Sequence, residues 1–417
     1  MSKQVVTLAF DWIGPEGFWP NGLSLDYYYS RKTYEQATYS VGNEKNIYDL
    51  ESKRHPFTFS KLEHVLDKEY EIEYKHIKDV GNKKYIYELT PLLKPYQWLD
   101  NCFKDISDIV KNDNRLGKNI IIINDMNEGY GNTYHSFFKK LHHEITKEQL
   151  NPNNIFYISM NSILPDLYDE WCQKNDVVPI RMLSVYIYEY QYEKVSKQKT
   201  KHFISLNRSP NPQRHAFVYE LWRRDLLKYG YVSFPHKDEI LDYNISENDL
   251  VDFGLDTSRW NEFLDSLPFK VDKTDFTRQD CYNKPIHEYY SESYFAVISE
   301  QTFNDNECIK FSEKTFMALN NNCLPVYLYS KNAAKTLQSK LGYQTIFDKY
   351  DSISNKKERF HAVLDTIEKL CSVDLKTLHK KTYKVICSND NLFKKRIRSH
   401  AGLKDTMKEI NEWLRFS

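Results

Sequence analysis

The chain has no Cys-x-x-Cys pair. Its seven cysteines, at 102, 172, 281, 308, 323, 371 and 387, are odd in number and scattered. That spacing excludes the common zinc modules and a disulfide framework, and it suits reduced thiols in a cytoplasmic compartment. No run approaches the roughly 18 apolar residues of a membrane span. The opening MSKQVVTLAFDW lacks the charged, apolar and small-residue layout of a signal peptide. Charge of one sign is missing too: 58 Lys and Arg balance 58 Asp and Glu. Any attraction to a polyanion must therefore be local. The 13 histidines include no His-Glu-x-x-His. Glycine is scarce, with only 12, and Glu128 to Asn132 (EGYGN) falls short of a Gly-x-Gly-x-x-Gly dinucleotide turn. There is also no Asp-x-Asp, the signature by which one large transferase class holds a metal and a diphosphate.

What is present is enough apolar sequence, 41%, to build cores in a chain of 417 residues, long enough for two domains. Val5 to Phe10 reads as a strand running into a Gly- and Pro-bearing loop at Asp11. Ile120 to Ile123 is a pure β-branched run, the mark of a buried parallel strand. A loop, NDMNEGYGN, follows it, then a helix from Tyr134 to Glu148 and a strand from Ile155 to Ser159. Such alternation predicts a parallel α/β sheet. The polar, basic stretch 194–202 (KVSKQKTKH) reads as a linker. A second α/β pattern follows: strand Phe203–Leu206, helix His215–Tyr229, strand Tyr294–Ser299, helix Ser312–Asn321, strand Leu324–Leu328 and helix Ala333–Leu341. Residues 236–292 read as an acidic, irregular insertion. The expected domains are 1–193, 203–354 and a helical, basic tail over 355–417.

Ligands of open α/β sheets lie beyond the carboxyl ends of the strands. Two segments put charge there. In 294–328, Ser312 suits an N-cap and Glu313 and Lys314 open the helix. The unpaired N–H groups and positive dipole of a helix start, with the Lys314 charge, make an anion site fit for a diphosphate. Glu313 suits ribose hydroxyls. In 203–221, Arg208 sits in a Pro-rich loop and Arg214 opens a helix, with a donor fork suited to phosphate oxygens. Chance placement of Arg214 and Lys314 is disfavoured, because a cation at a helix N-terminus works against the dipole.

ISLNRSPNPQRHAFVYEL (204–221) resembles the Ser-Asn…Arg…Tyr…Leu segment of the α1,3/1,4-fucosyltransferases. FAVISEQTF (295–303) with FSEKTFMALNNNCLPVYL (311–328) resembles their FENS…TEK…NA…PVV segment. The second segment is similar also to glycosyltransferases of tailed bacteriophages, whose closing pattern matches LGYQTIFDKYD (341–351). The resemblance covers about 203–351; the N-terminal half matches only through IIINDMNEGYGN (121–132). It implies a GT-B fold, two Rossmann-like domains facing across a cleft, and a nucleotide-diphosphate sugar as donor with no cofactor. It also implies that Arg214 meets the donor phosphates, that Glu313 and Lys314 form the Glu-Lys pair, and that Glu300 is the Glu of the FEN segment. The chain departs in reading Ser-Glu-Gln-Thr for Phe-Glu-Asn-Ser, and Ser312 where Thr is common.

Cation clamping by Arg214 and Lys314 then stands where other transferases use a metal, and no metal site is expected. The acceptor hydroxyl needs a base. Glu128, Asp125 and Asp11 are the candidates, each following an expected strand. Their alternative role is ordinary turn chemistry. Two acceptor classes stay open: a hydroxymethylated pyrimidine in phage DNA, or a glycan or protein. The basic tail (Lys380, Lys381, Lys394, Lys395, Arg396 and Arg398) and the abundant aromatics favour DNA. A nucleic-acid-binding protein without catalysis is the alternative from another class, and the paired anion-site segments argue against it. For a viral chain the compartment is the host cytoplasm.

Overall fold

Ile120, Ile121, Ile122 and Ile123 are all fully buried, as a β-branched run covered on both faces of a sheet must be. They form the centre of β6 in a computed structural model that describes residues 4–10, 39–41, 44–46, 70–89, 103, 106–125, 134–186, 197–207, 211–242, 245–271, 284–300, 308–399 and 408–414. The chain divides into two compact units, Met1–Ile187 with Gly402–Ser417, and Tyr188–Ala401.

Unit 1 holds the strands β1 (Gln4–Phe10), β4 (Tyr70–His76), β5 (Tyr85–Leu89), β6 (Asn119–Asp125), β7 (Ile155–Ser159) and β8 (Arg181–Ser184). They pair in the order β4-β1-β5-β6-β7-β8, every pair parallel. A separate hairpin pairs β2 (Tyr39–Val41) with β3 (Glu44–Asn46). Its helices are α1 (Asp108–Arg115), α2 (Tyr134–Lys147) and α3 (Leu164–Asn175). Expected and observed strands differ by a residue or two at their ends. The stretch 57–90, charged and aromatic by turns, hides β4 and β5. β4 is the edge strand, whereas β5 lies inside the sheet with Tyr85, Ile86 and Tyr87 all buried.

Unit 2 holds β9 (Lys201–Leu206), β10 (Gly230–Ser233), β11 (Ser293–Ser299) and β12 (Leu324–Leu328). Their order is β10-β9-β11-β12, again all parallel. The helices in chain order are α4 (Pro212–Arg223), α5 (Lys237–Asp242), α6 (Glu247–Asp252), α7 (Trp260–Asp265), α8 (Lys284–Ser291), α9 (Glu313–Asn320), α10 (Ala333–Thr336), α11 (Lys356–Cys371) and α12 (Leu375–Ser399). A last helix, α13, spans 408–414 and belongs to unit 1. There Glu409 pairs with Arg181, and Lys84 lies over the Trp413 ring. Among the described residues no helix is long and apolar enough to cross a membrane.

The described residues within 236–292 do not stand apart as an insertion. Ile240, Ile245, Leu250, Phe253, Leu255, Trp260 and Phe263 are buried in the same core as Phe203, Phe217, Phe295 and Phe360. Ile245, Phe253 and Leu255 lie between helices, and the other four lie on α5 to α7, which are six residues each. That is too short for a helical period to show against their acidic surface.

Numbered within its own sheet, unit 1 runs 2-1-3-4-5-6 and unit 2 runs 2-1-3-4. Strand order therefore reverses between β1 and β5 in unit 1 and between β9 and β11 in unit 2. A reversal leaves the connections on its two sides heading apart. The crevice between them is where ligands of such sheets bind.

Candidate functional site

The reversal in unit 2 brings the two charged segments together. α4 begins where Asn211 accepts a hydrogen bond from the Arg214 amide at 2.9 Å, and Pro212 fills the first turn, where no N–H is needed. This cap starts the helix three residues before the expected His215. It ends at Arg223, since Asp225 turns left-handed at φ 55°. α9 begins at the N-cap Ser312, whose Oγ accepts from the Lys314 amide.

Arg214 is 4% exposed. Its Nε and Nη2 donate to the Ser299 carbonyl at 3.1 and 2.8 Å. It is a strut between α4 and the end of β11, and it brings a full positive charge to that point. Gln213 joins it, donating to the Glu300 carbonyl at 2.9 Å. Glu300 is 6% exposed and accepts from the Ser312 amide at 3.2 Å and the Ser312 hydroxyl at 2.6 Å. Burial pushes its carboxyl above the usual range, against the pull of Lys314. Glu300 thus ties the strand end to the helix start, and Ser312 serves both. Lys314 donates to Glu313 at 3.0 Å, and both side chains stay about one-fifth exposed. Desolvation opposes the charge on Glu313, but Lys314 more than offsets it and holds the carboxyl below its usual range.

Arg214, Glu300, Ser312, Glu313 and Lys314 therefore form one cluster at the switch point. Arg208 and Glu128 lie outside the described residues, as does Asp11, the residue after β1. Asp125 ends β6, and its side chain lies outside them too. None of these four is placed against the cluster.

Sequence reading passed over the polar floor beside it. Asn207 donates to Ser205 Oγ at 2.9 Å, and Ser205 Oγ donates to the Val297 carbonyl at 3.2 Å. Asn207 Oδ1, Ser299 Oγ and, after β12, Ser330 Oγ are buried without a hydrogen-bond partner. Extending the β9–β11 register beyond Ile204 and Ala296 sets Asn207 level with Ser299. The available signal was a polar residue at each end of an apolar strand.

No protein-family model matches the chain, and no curated protein matches it in sequence. Solved structures with similar folds include the pneumococcal O-GlcNAc transferase GtfA in complex with UDP and GlcNAc, at 10% identity and TM-score 0.46. The match covers 91% of this chain, which spans only 65% of that one. A DNA-modifying β-glucosyltransferase is 14% identical over 86% of this chain and 95% of its own, with TM-score 0.38. An α1,3-fucosyltransferase is 10% identical over 94% and 92%, with TM-score 0.33. All three are glycosyltransferases.

Proposed function

We propose that the chain is a glycosyltransferase of the GT-B type, moving a sugar from a nucleotide-diphosphate sugar held by unit 2 to an acceptor hydroxyl. One observation carries this reading: two helix starts meet at the switch point of one parallel sheet, bringing Arg214 and Lys314 to the same strand ends as Glu300. The acceptor oxygen attacks the anomeric carbon, the bond from that carbon to the phosphate oxygen breaks, and the diphosphate leaves with added negative charge. The α9 dipole and the two cations stabilise that charge where it develops. No metal is required in this scheme. Glu313, ionised beside Lys314, accepts from ribose hydroxyls. Hydroxymethylated pyrimidine in DNA is the acceptor we favour over a glycan or protein, on the strength of exposed lysines along α12.

Calorimetric titration with a panel of nucleoside diphosphates, in excess chelator, tests the donor site. One diphosphate should bind. Lys314→Ala should weaken it roughly ten- to a hundredfold, the worth of a charge-assisted hydrogen bond, with the fold intact. Arg214→Ala should weaken it as well and lower thermal stability, since the strut on Ser299 is lost. Unchanged affinity in both variants, or binding that vanishes in chelator and returns with magnesium, removes the cationic clamp.

A further inference from the structure

α12 is 25 residues long and two-faced. Leu378, Thr382, Ile386, Asn389 and Phe393 are buried in unit 2. At 3.6 residues per turn, Lys376, Lys380, Lys381, Lys384 and Lys395 fall within about 140° of arc on the other side. All five are exposed. None makes an ion pair among the described residues, whereas Lys394 beside them is held by Asp390 at 2.7 Å. Lys376, Lys380 and Lys384 step along one ridge at about 6 Å of rise each, and the row to Lys395 is about 28 Å long. Duplex DNA repeats one phosphate per strand every ~3.4 Å of axis, so the row matches roughly eight base pairs. Tyr383 stands 54% exposed on the edge of this face.

We propose that this face of α12 holds the phosphate backbone of DNA. It rests on the reading of DNA as acceptor. A bilayer fits poorly: an interfacial helix buries its apolar stripe among lipid headgroups, and here that stripe is already spent on the protein core. The chain's zero net charge makes the concentration of five unpaired lysines on one helix face a local attraction rather than a general one.

The test uses the full chain and a labelled mixed-sequence duplex, with affinity followed against salt. Loss of a lysine–phosphate contact should lower the slope of log affinity against log salt by about 0.9, and should weaken binding roughly eightfold at about 0.1 M salt. Lys380→Ala with Lys384→Ala should show both effects twice over. The same pair changed to Arg should bind as the parent does, and nucleoside-diphosphate affinity should not move in either. Alanine variants with parental affinity and slope would overturn the face and leave the acceptor reading standing. A parent that binds nucleoside diphosphate but no DNA would overturn both. Binding to phosphatidylserine vesicles in place of DNA would make α12 a membrane surface and overturn the proposal likewise.

Discussion

Burying an imidazole with neither nitrogen hydrogen-bonded is costly, and His215 is such a case. It is fully buried, both ring nitrogens lack partners, and Trp260, Phe263 and Phe234 surround it at centroid distances of 4.4, 5.8 and 5.9 Å. Burial pushes its pKa down to about 3. The unfolded chain takes up the proton near pH 6.5, so it binds more protons than the native state between about 6.5 and 3. Stability should fall as pH drops through that window, by about 1.4 kcal/mol per unit from this residue. His215→Leu removes the group and keeps the site apolar. Denaturant unfolding at neutral pH and near pH 5 should show the parent losing about 2 kcal/mol more than the variant. Equal losses would mean that His215 does not titrate as its surroundings dictate. Nothing at positions 214 to 216 foretells this cage, since its rings come from segments 20 to 50 residues further along. Lys314 and Glu313, by contrast, could be assigned to a helix start from their neighbours alone, because a cap and the first turn are local events.

Whether helix starts position the site, rather than merely exist beside it, can be separated by comparing two caps. Asn211 caps α4 through the Arg214 amide. Asn355 caps α11 through the amides of Lys357 and Glu358 at 3.0 and 3.1 Å. Changing either to Ala should cost about 1 kcal/mol of stability, the usual worth of an Asn cap. Only Asn211→Ala loosens the turn that aims Arg214 at Ser299, so only it should weaken nucleoside-diphosphate binding. Equal affinity in the two variants, measured by calorimetry, would detach the start of α4 from the donor site. Elements of this kind were legible wherever the chain repeats a period over enough residues: β7 and β12 stand at their expected bounds, and β6, β9 and β11 within two residues. The short helices α5 to α7 were not, because a six-residue helix completes fewer than two turns and its burial is decided by the distant core it joins.

At the scale of the whole molecule, strand order adds what no local pattern holds. Three carboxylates follow strands of unit 1, and sequence alone leaves Glu128, Asp125 and Asp11 as alternatives for the base. The parallel order β4-β1-β5-β6-β7-β8 reverses at β1, and Asp11 is the next residue after β1. Asp125 ends β6 and Glu128 comes three residues later, one strand beyond β5. If unit 1 receives the acceptor at its own crevice, as sheets of this type receive ligands, Asp11 is the best-placed base. The substitution Asp11→Asn keeps the size and removes the proton acceptor. It should lower kcat by about 10²–10⁴, the usual contribution of a general base, while calorimetry finds nucleoside-diphosphate affinity unchanged, because the donor cluster belongs to unit 2. Such a split, a lost kcat with a kept donor affinity, is what a base does and what a misfolded unit would not do. Asp11→Asn with near-parental kcat would pass the role to Glu128→Gln and then Asp125→Asn. If all three amides turn over normally, the strand ends of unit 1 do not supply the base. Another carboxylate, such as Glu300 at the end of β11, would then have to accept the proton, or the departing phosphate itself would.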